Sequence, residues 1–176
     1  KLVLDWRRDT ARLNVVQEQI DIGVRIGHLA DSRLIARKIG ETCEKIVMAP
    51  DLLRRLGKPK DFADLQKNYP LAAVLNHNNG RADTWYINEN LQFTPAKPHF
   101  VGSHIHNAMQ AALAGNAVSQ QLDWMVAPHL LSGELVELFA EVPKIRWPVS
   151  IYRPQRVVTP MRVKVVFDLL AEILGR

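Results

Sequence analysis

The chain has 176 residues, 47% of them hydrophobic, enough to bury a core as one domain or two small ones. No run approaches the roughly eighteen consecutive apolar residues of a membrane span, and a single cysteine, Cys43, excludes an internal disulfide or a multi-cysteine metal site and fits a reducing cytoplasm. The net charge of +5 comes from scattered Lys and Arg; the densest runs, Arg7-Arg8, Arg54-Arg55 and Lys58-Pro59-Lys60, lack interleaved aromatics and read as a solvated surface, not a DNA-reading face.

The opening KLVLDW lacks Met and enters a strand-like alternation at once, so the chain is expected to be a fragment with an upstream part missing. Asp9 or Thr10 can cap a helix to about Gln19, and Ile20–Gly27 reads as the next strand, parallel to the first in a βαβ unit. Its alternation puts Ile22, Val24 and Ile26 on a face that holds the sheet, and Asp21, Gly23 and Arg25 on the other. Leu34–Ile39 and Glu44–Ala49 are extended around Gly40. Short helices follow at Asp51–Leu56 and Asp61–Lys67, then a strand at Leu71–Asn76 that breaks in the polar turn Asn76-His77-Asn78-Asn79-Gly80.

Thr84–Asn88 and Lys97–Val101 read as a strand pair. Ser103 is expected to cap a helix over 104–114, with Ile105, Ala108, Met109, Ala112 and Leu113 at helical spacing and Gly115 ending it. Ala117–Leu122 is a strand, Asp123–Ser132 a helix with Asp123 as cap, Leu135–Phe139 and Val149–Arg153 strands. Thr159 is expected to cap a last helix with Pro160 in its first position and a buried stripe of Val166, Leu169, Leu170, Ile173 and Leu174. Strands alternate with helices throughout, so the fold class is α/β.

No phosphate loop, dinucleotide fingerprint, nucleophile elbow or H-E-x-x-H motif is present. His104 and His106 form an H-x-H pair, but residues two apart on a helix diverge, and with only His77 as a further ligand no metal is expected. Cys43 reads as a small buried thiol. No cofactor is implied, and no catalytic constellation stands out.

Several stretches in order resemble the effector-binding (substrate-binding) domain of LysR-type transcriptional regulators: IDIGVRIGHLADSRLIARKIGETCEKIVMAPDLLRRLGKP, then AALAGNAVSQQLDWMVAPHLLSGELVELF, then VSIYRPQRVVTPMRVKVVFDLLAEIL. The resemblance covers essentially the whole chain. It implies a type 2 periplasmic-binding-protein fold: two subdomains joined by two crossover strands, with a small-molecule cleft between them. Residues 1–49 and 150–176 would form subdomain I, without its first strand and helix, and 50–149 subdomain II. The DNA-binding winged helix-turn-helix is absent from the chain.

Within that frame, Ile26, Gly27, His28 and Leu29 are expected to line the cleft mouth, with Gly27 allowing a close approach of backbone to ligand. Gly102, Ser103 and His104 would form the opposing wall, where a helix N-terminus makes a carboxylate the physical default. Thr42 matches a family position that touches effector. Gln120 and Gln121 replace apolar residues of the family pattern, and the inward-facing amide is expected to bond a ligand, a water or its neighbours. The alanine face of helix 104–114 either meets subdomain I of a second chain or approaches its own sheet.

The resulting expectation is a non-enzymatic cytoplasmic sensor of a small effector, a homodimer that is tetrameric at full length. It would act on DNA through the missing domain, with RNA polymerase as a further partner and no membrane. Two rivals are a transport solute-binding protein of the same fold and a small α/β enzyme using His28, His104 and Cys43.

Overall fold

In the computed structural model of the protein, the described residues are 5, 7, 19–29, 33–155 and 158–175. Apart from Asp5 and Gln19, the expected first strand and first helix lie outside them.

In chain order the elements begin with β1 (Gly23–Ile26), β2 (Leu34–Thr42), β3 (Glu44–Met48), α1 (Pro50–Leu56), α2 (Phe62–Asn68) and β4 (Leu71–Asn76). There follow β5 (Arg81–Ala82), β6 (Trp85–Asn88), β7 (Leu91–Phe93), β8 (Phe100–Gly102) and α3 (Ile105–Leu113). The last are β9 (Val118–Leu122), α4 (Asp123–Ser132), β10 (Val136–Leu138), β11 (Trp147–Pro154) and α5 (Met161–Leu174). The chain divides into two compact units: unit 1 is Lys1–Thr42 with Arg146–Arg176, and unit 2 is Cys43–Ile145.

Among the described residues, unit 1 carries a three-stranded sheet in the order β1-β11-β2, both pairings antiparallel. β2 continues past Gly40 to Thr42, with a bulge where its register shifts opposite Val149 and Ser150, and is longer than the expected segment because its partner β11 is itself extended from Trp147. The core of the unit is Ile151, Phe167 and Ala171, with Ile22, Ile39 and Leu170 packed against it. Two guanidinium groups flank the Phe167 ring, Arg153 at 5.5 Å and Arg37 at 5.7 Å from its centroid.

Three expectations fail in this unit. The stripe of α5 that meets the sheet is Val163, Phe167 and Ala171, whereas Leu169 and Ile173 are about half exposed. The bulkiest ring wins the interior, and the stripe rotates to follow it. Thr159 does not cap α5; its hydroxyl accepts from Arg153 Nη1 at 3.1 Å, and Pro160 occupies the cap position. Val24 and Ile26 of β1 are exposed, while Gly23 and Arg25 are half-buried, so the face expected to hold the sheet is the outer one. The Tyr152 ring sits so close over Gly23 that a Cβ there would collide with it, and this fixes the inward face of β1.

Unit 2 carries a larger sheet in the order β10-β3-β9-β4-β5, with β8 also paired to β4. β4 is parallel to both β8 and β9, and α3 crosses from β8 to β9 over it. Lys97–Val101 therefore does not pair with Thr84–Asn88; β6 pairs with β7, and β8 joins the main sheet in parallel. Short range alternation could not distinguish these two partners for a three-residue strand.

The two faces of this sheet bury different clusters. On one, Ile46, Met48 and Val118 meet Leu52, Leu65 and Tyr69. On the other, Val47 meets Met109 and Ala112 of α3 with Met125 and Val126 of α4. Ala108 and Ala112 are fully buried, Ala108 against Ala72 and Ala117, so the alanine face of α3 serves close approach to its own sheet.

Candidate functional site

Because β4, β8 and β9 run in parallel, their carboxyl ends fall on one edge of the unit 2 sheet. In open α/β sheets that edge is where small molecules are taken. Here it presents His77 just after β4, Ser103 and His104 just after β8, and Asp123 just after β9.

The corner after β8 is held tightly. At Gly102 an added Cβ would run into the Asn107 side chain, so only glycine lets the chain turn from strand into α3. The helix cap is His104 and not Ser103: its Nδ1 accepts from the His106 N–H at 3.4 Å, and its carbonyl accepts from Asn107 N at 2.9 Å. The His104 and His106 rings stack at 5.3 Å with 11° between their planes. This ring pair turns one imidazole nitrogen back onto the helix, which leaves the exposed Ser103 outside the cap. His77 Nε2 reaches the Ser103 carbonyl oxygen at 3.3 Å. The sequence pattern offers His77 only as a metal ligand; its place at the end of a parallel strand is the signal that points to this corner.

Gln120 and Gln121 lie on a strand buried on both faces, at 8% and 0% exposure. Gln120 Nε2 donates to the Tyr86 carbonyl oxygen at 2.8 Å and borders a small cavity with Ile46, Ile87 and Leu138. Gln121 points to the opposite face, where its Nε2 donates to Ser119 Oγ at 2.7 Å and to the Ile105 carbonyl oxygen at 3.3 Å. The structure thus joins Gln121 to the first turn of α3, and sets Gln120 apart from it.

Asp123 is the first residue of α4, not its cap, and its carboxylate accepts from Trp124 N at 2.8 Å and from the Cys43 thiol at 3.4 Å. Cys43 is buried. Trp124 stands 59% exposed and is no part of the core. Among the described residues no group of three His, Cys, Asp or Glu side chains is placed to hold a metal ion.

In unit 1, Ile26 ends β1 and Gly27 follows at φ +96°, donating its N–H to the Pro148 carbonyl oxygen at 2.8 Å. A Cβ added at Gly27 would meet nothing within 4 Å, so this glycine is required by its backbone angle and not by a crowded neighbour. His28 is exposed, Leu29 half-buried, and Thr42, at the end of β2, is buried.

The family model described as LysR substrate binding domain matches residues 2–175. The chain belongs to that family. That domain family is the one found in LysR-type regulators such as CrgA. It is 27% identical over 167 residues to the HTH-type transcriptional regulator CrgA of Neisseria meningitidis serogroup C, covering 93% of this chain and 54% of that protein. The chain therefore spans about half the length of that curated relative. Among solved structures, the CrgA regulatory domain superposes with TM-score 0.78 at 24% identity, covering 95% of this chain and 81% of that one. The regulatory domain of AphB from Vibrio vulnificus gives TM-score 0.77 at 20% identity, covering 97% and 82%. These likenesses show the periplasmic-binding-protein-like fold of two α/β subdomains. No helix among the described residues is long and apolar enough to cross a membrane.

Proposed function

We propose that this domain senses a small organic carboxylate. The observation that carries the reading is the start of α3. The nearest partner of the His106 N–H is a ring nitrogen at the long distance of 3.4 Å, beside the exposed Ser103 and at the positive end of the helix dipole. A carboxylate oxygen is a stronger acceptor than that imidazole nitrogen. Gly102, Ser103, His104 and His77 are the proposed contacts in unit 2, with Gln121 holding the first turn from behind and Gln120 steadying β9.

The whole protein is proposed to be a cytoplasmic homodimer, tetrameric at full length, that binds DNA through a domain outside this chain and acts on RNA polymerase. Effector and DNA affinities are then coupled reciprocally. The family match supports this reading over a transport solute-binding protein. A thermal-shift screen of aromatic and aliphatic carboxylates against their neutral amides tests it. The expected result is stabilisation by at least one acid and not by its amide; equal stabilisation by both overturns the carboxylate reading.

A further inference from the structure

The opposite edge of the unit 2 sheet holds a depression of about 480 Å³, within the range of small-molecule sites. Pro70, His99 and Asn116 line it, and these sit just before β4, β8 and β9, at the amino ends of the parallel strands. β4 is six residues long at ~3.3 Å each, so this edge lies roughly 20 Å from the carboxyl-end corner. Leu52 and Leu56 supply an apolar floor; Arg55, Lys67 and His99 supply charge and N–H donors, and among the described residues no acidic side chain lines it.

Basic residues near helix carboxyl ends ordinarily answer the last carbonyl groups. At the end of α1 those groups are answered by others. Tyr69 Oη donates to the Gly57 and Leu56 carbonyl oxygens at 3.0 and 3.3 Å, and Gly57 N closes onto Leu53 O at 2.8 Å. Arg55 Nη2 donates to the Gly115 carbonyl oxygen. Lys67 and His99 make no side-chain hydrogen bond or ion pair with any described residue.

The local charge is uneven too. Residues 43–145 contain nine Lys and Arg against ten Asp and Glu, yet five of the nine stand at 54, 55, 58, 60 and 67. Asp51 is shared between Arg54 at 3.0 Å and Arg55 at 3.2 Å. Asp61 caps α2 through Asp64 N, and Asp64 accepts from Lys60 N and Asn68 Nδ2. Arg55 is thereby tied to Asp51 and Gly115, while Lys67 and His99 face the depression with unspent donors.

We propose that this depression is a second small-molecule site, taking an oxyanion group (phosphate or carboxylate) carried on a short apolar body. The oxyanion would sit among Arg55, Lys67 and His99, the apolar body on Leu52 and Leu56, and the Asn116 amide would supply a further donor.

The test titrates the 176-residue chain with inorganic phosphate, and separately with acetate, at ionic strength held constant by sodium chloride. Calorimetry gives the affinity and amide chemical shifts the location. Saturable phosphate binding with shifts at Lys67, His99 and Asn116 is expected. Joint replacement Lys67→Met with His99→Leu removes two exposed side chains that bond nothing, and should weaken phosphate about tenfold or more. Ser103→Ala should leave it unchanged, which separates this site from the one at α3. Phosphate without acetate points to a phosphorylated ligand, and both together to carboxylates as well. No saturation below about 20 mM, or equal affinity in the double variant, overturns the proposal.

Discussion

Gln121 Nε2 donates to the Ile105 carbonyl oxygen at 3.3 Å and so ties the end of β9 to the first turn of α3. Its Oε1, fully buried, has no hydrogen-bond partner among the described residues. Replacing Gln121 by Leu removes two donated bonds and one unsatisfied acceptor, effects of opposite sign and each about 1–3 kcal/mol. The unfolding free energy from urea denaturation should therefore change by no more than about 1 kcal/mol, while the affinity for the carboxylate selected by the thermal screen falls several-fold as the turn loses its tether. A large loss of stability with unchanged affinity would refute the tether.

His104 is an unusual helix cap, and a better one can be installed. His104→Asp places a strong acceptor and a negative charge at the start of α3, which should stabilise unit 2 by about 1 kcal/mol. The same charge repels an anionic effector. The expected pair of results is a raised melting temperature and abolished carboxylate binding. Retained binding would show that the ligand is held elsewhere.

The residues that made the fold legible were those whose role is local. Pro50 opens α1 and Gly115 takes φ +69° beyond α3, as their chemistry dictates, and α2 begins one residue later than its expected start because Asp61 caps it. Residues whose role depends on distant partners were misread. Thr159 looks like a cap until Arg153 takes its hydroxyl, and Val24 looks like core until Tyr152 claims the other face of β1. The start of α3 was located from Ser103, one residue early, because sequence spacing cannot show a histidine ring folding back on its own helix. Alternation predicts one inward-facing amide of Gln120 and Gln121, whereas both are buried because β9 is covered on both faces, and their partners, Tyr86 and Ile105, are distant in sequence.

Glu137 bonds Lys45 Nζ at 2.5 Å and Lys144 Nζ at 3.0 Å. Burial alone would raise its pKa, but the hydrogen bonds and charges of the two lysines outweigh this and hold it below the ordinary value of 4.5. A carboxyl whose folded value lies below its unfolded value contributes stability at higher pH and loses it as pH falls through the folded value. Glu137→Gln should therefore destabilise the domain at pH 7 and flatten the fall in urea midpoint below about pH 4.5. An unchanged acid limb would assign that fall to other carboxyls.

Gly27 stands at φ +96° with open space around it. Gly27→Ala should cost about 1–3 kcal/mol, all of it backbone strain, since the new methyl group meets nothing. Equilibrium denaturation of the variant checks this. A cost near zero would mean that the chain after β1 relaxes into an ordinary extended angle, at the expense of the Gly27 bond to Pro148.

The rotation of α5 relative to its sequence pattern gives the sharpest contrast. Phe167, 4% exposed and flanked by Arg37 and Arg153, anchors the helix to unit 1, whereas Leu169, two residues on, is 51% exposed. Phe167→Ala leaves a cavity where the ring stood and should cost about 3–5 kcal/mol. It also strips both guanidinium groups of their aromatic partner, which adds to the loss. Leu169→Ala should change stability by about 0.5 kcal/mol or less, as for other exposed positions. Denaturant unfolding of the two variants under one set of conditions measures the difference directly. If Leu169→Ala proves as costly as Phe167→Ala, the helix buries the face that its sequence spacing first indicated.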